Sequence, residues 1–144
     1  NESLEGTPAD PKARRSFDTY DEALNTMIDE TYNTALSNNF KIEYGAAIFK
    51  YPDDDKFYTN GVRNSGRPDA VKLNDCYPYD EPGVELVAFI HSHPWGPEPN
   101  SSPFNITDLD YGIHNPDRYV INRHHVYRLA PGETDWYKGW TIYR

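Results

Sequence analysis

With 144 residues the chain is long enough for one domain with a real core and too short for two comfortable ones. A formal net charge of −9 repels a phosphate backbone, so neither a nuclease nor a nucleic-acid reader is expected, and a protein partner with a basic face is easier to accommodate. The single cysteine, Cys76, excludes an internal disulfide and a multi-cysteine zinc cluster, and no apolar run is long enough to span a membrane.

Residues 1–15 are polar and hold Gly6, Pro8 and Pro11, which reads as a linker or flexible arm ahead of a single domain over 16–144. Ser16 or Asp18 is placed to cap the helix predicted over 21–38. There Ala23, Leu24, Met27, Ile28, Tyr32, Ala35 and Leu36 recur at spacings of three and four, and Asn38-Asn39 ends the pattern. A first strand is predicted over 40–51, a turn over 52–56 and a returning strand from Phe57, together a hairpin. Residues 61–83 are polar and turn-rich, with a short strand suggested at 70–73.

The apolar run 84–90 lies between Pro82-Gly83 and Pro94 and predicts a buried strand. It ends on His91-Ser92-His93-Pro94. Residues i and i+2 of an extended chain point to the same side, so both imidazoles can aim at one point. Pro94 ends the ladder because it has no N–H to donate. Two imidazoles on one side make up most of an open zinc site, and the third ligand should be a His or a carboxylate from a nearby element. Asp108 is the first candidate. Asn105 is placed to cap a second helix running through 106–113, which puts Asp108 in its first turn, at the positive end of the helix dipole. The loop 94–103 holds four prolines and a glycine. Three short strands are predicted beyond it, at 118–122, 125–129 and 136–143, as a meander completing the sheet. His124 and His125 are adjacent, so on a strand they point oppositely and cannot share one site.

Glu43 is the second residue of interest. It lies in an otherwise apolar stretch, beside Gly45-Ala46-Ala47, where small residues let a substrate approach the backbone. Glu85, on the same side of its strand as His91, is too far along it at ~3.3 Å per residue to reach the same metal.

His91-Ser92-His93-Pro94, a loop, and a downstream acid opening a helix resemble the signature of the JAMM (MPN or JAB) zinc metallopeptidases. The family has Ser-x-x-Asp after its loop. At the family's usual spacing Ser102 is present but Asn105 stands where the aspartate belongs. Two later registers, Asn105-x-x-Asp108 and Thr107-x-x-Asp110, restore the acid, and the first is preferred. Phe104-Asn105-x-x-Asp108 and Glu43-Tyr44-Gly45 are similar to a JAMM-related domain at the C-terminal tips of bacterial polymorphic toxins, of the Rhs and contact-dependent inhibition kind. The resemblance covers residues 21–144.

It implies an α+β fold: a JAMM-like mixed sheet with a long N-terminal helix and a second helix after the His-x-His-Pro strand. It also implies Zn2+ held by His91, His93 and Asp108. Glu43 becomes the general acid/base acting through zinc-bound water, and Ser92 and Asn105 become the hydroxyl and amide donors near the oxyanion. An Asn amide can supply such a bond. The function implied is a peptidase- or isopeptidase-type hydrolase serving as a toxic effector, with a protein or peptide substrate and a cognate immunity protein. The chain carries no targeting signal of its own; it would be delivered as part of a larger secreted toxin and act in the target-cell cytoplasm. The alternatives are a catalytically impaired JAMM-like binding scaffold, or a toxin tip with other metal-dependent hydrolytic chemistry.

Overall fold

The computed structural model describes residues 14–64, 76–93, 116–133 and 139–144. Among them one helix, α1 (Tyr20–Ser37), packs on a seven-stranded mixed sheet: β1 (Arg15–Phe17), β2 (Gly45–Lys50), β3 (Phe57–Thr59), β4 (Glu85–Ser92), β5 (Asp117–Ile121), β6 (Val126–Leu129) and β7 (Trp140–Ile142). The spatial order is β1-β3-β2-β4-β5-β6-β7. Neighbours are antiparallel except β4 and β5, which run parallel. The fold is therefore mixed α+β, as expected. The second helix expected over 106–113, the strand suggested at 70–73 and the loop 94–103 lie outside the described residues.

α1 begins at Tyr20 because Thr19 is its N-cap: the Thr19 hydroxyl accepts a hydrogen bond from the Glu22 N–H at 3.2 Å. Thr19-x-x-Glu22 has the capping-box pattern, a stronger local signal than the Ser16 or Asp18 expected from sequence. Ser16 is instead in β1, and Asp18 pairs with Lys56. The helix buries Ala23, Leu24, Met27, Ile28, Thr31 and Ala35, whereas Leu36, expected on that face, is exposed. The buried stripe rests on Ala46 and Ile48 of β2, Ala88 and Ile90 of β4, and Tyr119 and Ile121 of β5. The opposite face of the sheet carries a smaller cluster of Ala47, Leu86, Phe89 and Cys76. Cys76 is buried there, in keeping with its role as a small hydrophobe.

Two boundaries differ from the sequence reading. The arm expected over 1–15 gives way to structure at its end: β1 pairs Arg15 with Thr59, and Arg14 donates to Tyr51 at 2.9 Å and Asn60 at 3.1 Å. The first hairpin strand starts at Gly45, not at Phe40. Asn39 (φ 62°) and Phe40 (φ 56°) are both left-handed, which turns the chain off the end of α1 and cannot belong to a ladder. The Phe40 ring packs edge-on to Tyr32 at 5.5 Å, and its N–H donates to the Ala35 carbonyl at 2.7 Å, so tertiary contacts hold the disfavoured conformation.

Candidate metal centre

β2 and β4 lie side by side in the middle of the sheet. Their register pairs Gly45 with His91, Ala46 with Ile90, Ala47 with Phe89 and Ile48 with Ala88. Residues directly opposite in an antiparallel pair share a face, and alternate residues of one strand do too. Ala88 and Ile90 face α1, so Phe89 and His91 face away from it. The Phe89 ring stacks on His91 at 5.2 Å between centroids and fixes that imidazole.

The ladder continues one rung beyond the strand ends. The Ser92 N–H donates to the Tyr44 carbonyl at 2.9 Å, and the Tyr44 N–H donates to the Ser92 hydroxyl at 3.0 Å. In the same register Glu43 falls opposite His93. Glu43 thus precedes β2 rather than lying within it, and it reaches the histidines through cross-strand pairing. Its carboxylate stands 3.6 Å from His93 Nε2, with the two side chains only 12% and 5% exposed. His91 Nε2 and His93 Nε2 are 3.0 Å apart.

Glu43, His91 and His93 form a cluster that could hold a metal ion: one ligand atom from each lies within 4.8 Å of the others. Zinc–nitrogen and zinc–oxygen bonds of ~2.0–2.2 Å at tetrahedral angles put neighbouring ligand atoms ~3.4 Å apart. The separations of 3.0 and 3.6 Å fall on either side of that figure. The donor set of two imidazoles and a carboxylate suits a divalent transition metal.

Gly45, opposite His91, puts no side chain over that imidazole. On its other side Gly45 exchanges two backbone hydrogen bonds with Arg63, at 2.7 and 2.8 Å. Arg63, Gly45 and His91 therefore lie in one row on the face away from α1. Arg63 is fully buried and brings a guanidinium to that side of the sheet. The sequence reading passed over it, because its pairing with a residue eighteen positions earlier leaves no local trace.

Ser92 is not brought to the cluster. It alternates with His91 and His93, so it faces α1, and its hydroxyl is occupied by the Tyr44 N–H. Asn105, Asp108 and Asp110 lie outside the described residues. Glu85 is exposed at the far end of β4, as its distance along the strand implied. His124 and His125 sit in the β5–β6 turn, where both their N–H groups donate to the Asn122 side chain at 2.9 Å.

No known protein family, curated protein or solved structure matches the chain. Among the described residues no helix is long and apolar enough to cross a membrane.

Proposed function

We propose that the chain is a zinc-dependent amide hydrolase, built like the JAMM metallopeptidases and serving as the effector domain of a bacterial polymorphic toxin. One observation carries the hydrolase reading: the ladder sets Glu43 opposite His93, so that a carboxylate joins the His-x-His pair at the end of a buried strand. The toxin assignment is supported by the resemblance of Glu43-Tyr44-Gly45 and Phe104-Asn105-x-x-Asp108 to that group of domains.

In this reading His91 and His93 hold the metal with Asp108 as the third protein ligand. Bound zinc would supply a water acidic enough to act near neutral pH and would polarise the amide carbonyl. Glu43 takes the proton of the attacking water and delivers it to the leaving amine. Its partial burial limits the access of bulk water to that transfer, and Gly45 puts no side chain beside His91. The substrate is a peptide or isopeptide amide, and a cognate immunity protein is the expected partner.

The convergence of all three ligand atoms favours a second reading, in which Glu43 itself ligates the metal. Metal content and activity of Glu43→Gln separate the two. An acid/base variant keeps its zinc and loses activity; a ligand variant loses zinc. Full activity in zinc-loaded Glu43→Gln would remove Glu43 from the chemistry and leave a binding scaffold. Asp108→Ala should lose zinc and Asp110→Ala should keep it: on the helix expected from sequence over 106–113, positions two apart would be turned by ~200°, so only one could face the metal.

A further inference from the structure

We infer that Ser92 is a positioning residue that sets Glu43 against the histidine pair from the opposite face of the sheet; its catalytic consequence rests on the reading of Glu43 given above. Gly45 gives both backbone groups to Arg63, so the Gly45–His91 pair makes no hydrogen bonds between β2 and β4. The alternation of an antiparallel ladder then requires a bonded pair at Tyr44 and Ser92. In a regular ladder the Tyr44 N–H would donate to the Ser92 carbonyl. It donates instead to the Ser92 hydroxyl, at 3.0 Å, while the Ser92 N–H donates to the Tyr44 carbonyl at 2.9 Å.

A side chain therefore closes the last rung. On its other side β4 runs beside β5 from Ala88 onward, and that pairing extends past Ser92, where the His93 N–H donates to the Ile121 carbonyl at 2.9 Å. Glu43 follows directly from this rung on one strand and His93 on the other. Their 3.6 Å separation is consequently set by a bond one residue away from each. Both Ser92 and Tyr44 are buried, so water cannot replace the acceptor if the hydroxyl is removed. The middle residue of His-Ser-His thus acts through the backbone of Tyr44 and does not touch the reacting atoms.

The test uses Ser92→Ala, Ser92→Thr, Glu43→Gln and the Ser92→Ala/Glu43→Gln pair. The readouts are zinc affinity by competition with a chromophoric chelator, hydrolytic or toxic activity, and hydrogen exchange of single amides. Ser92→Ala should lower activity roughly tenfold or more and leave zinc affinity within about threefold, because β4 still holds both histidines. Ser92→Thr, which keeps the hydroxyl, should restore it. In the Glu43→Gln background Ser92→Ala should cause no further loss, because the two residues act as one unit. Equal losses in both backgrounds, or no rescue by threonine, would overturn the inference. Exchange judges the geometry without activity or metal: the Tyr44 amide should exchange at least about tenfold faster in Ser92→Ala while the Ala46 amide, one bonded pair away, is unchanged. Unchanged Tyr44 protection overturns the inference, and a wild-type chain that binds no zinc overturns the metal reading alone.

Discussion

Two buried polar clusters sit in the same sheet, and they are built on opposite principles. At the start of β5 the Asp117 carboxylate, 6% exposed, receives the Tyr20 and Tyr119 hydroxyls on Oδ2 at 2.6 and 2.8 Å and Arg128 Nε on Oδ1 at 2.8 Å. Each contact sets a donor against an acceptor. The cluster ties the first residue of α1 to β5 and β6, and its chemistry is complete. At the carboxyl end of β4, by contrast, His91, His93 and Glu43 turn two ring nitrogens and a carboxylate oxygen toward one point. In a neutral pair one imidazole can donate to the other, but the carboxylate adds a further acceptor. Protons or a cation reconcile such a set. Donors facing acceptors make a structural joint, whereas two imidazoles and a carboxylate converging on one point could hold a metal ion.

The sharpest way to break this comparison is at the candidate site. Glu43→Gln should lower hydrolysis or growth inhibition by ~10²–10⁴, the usual effect of removing a general base, while zinc content and thermal unfolding stay at wild-type values. His91→Ala and His93→Ala should abolish zinc binding. If zinc is the ligand, at a concentration near 1,000 Kd it would add ~4 kcal/mol to the wild type, so a chelator should lower its melting temperature and leave that of either variant unchanged.

The Asp117 cluster should behave in the reverse way. Asp117→Ala leaves two phenols without their acceptor and gives the partly exposed Arg128 back to water, and it should cost ~1–3 kcal/mol in urea unfolding, with zinc affinity unaltered. If Asp117→Ala loses metal, or His93→Ala destabilises the metal-free chain as much, the division between joint and site fails.

A smaller effect follows from pH. Burial first, and then the hydrogen bond to Asp117, hold the Tyr20 and Tyr119 phenols well above their usual range. The Tyr51 phenol is pushed up to about 12 by burial and by its bond to Glu81, against the opposing charge of Arg14. A phenol raised in the folded state keeps its proton longer there than in the unfolded chain, whose pKa is ~10. Its contribution is whole below pH ~10 and declines above that as the unfolded state loses protons first; for Tyr51 the decline runs to about 12. Ultraviolet titration should show late-ionising tyrosines, and unfolding free energy should fall through this alkaline range. Tyr20→Phe should remove one of the late tyrosines.

The local elements were legible because their causes are local. Apolar residues at helical spacing marked α1, and apolar runs between turn residues marked β4 and the β5–β6–β7 meander. His91 and His93 could be placed on one side of a strand because that alternation is a property of the extended backbone. The same rule already set Ser92 on the other side, though its partner there was not legible. Thr19-x-x-Glu22 was also present as a capping pattern.

What only the tertiary structure decided is pairing. Glu43 stands opposite His93, and Gly45 lies between His91 and Arg63, through a register between segments distant in the chain. A slip of one residue would turn Glu43 to the α1 face and dissolve the cluster. β1 was hidden for the same reason, since its three residues become a strand only beside β3. Asp117 likewise gathers Tyr20 and Arg128 only once α1, β5 and β6 have packed. Residue type and period are written along the chain; which rung meets which depends on hydrogen bonds and burial that exist only after the strands have come together.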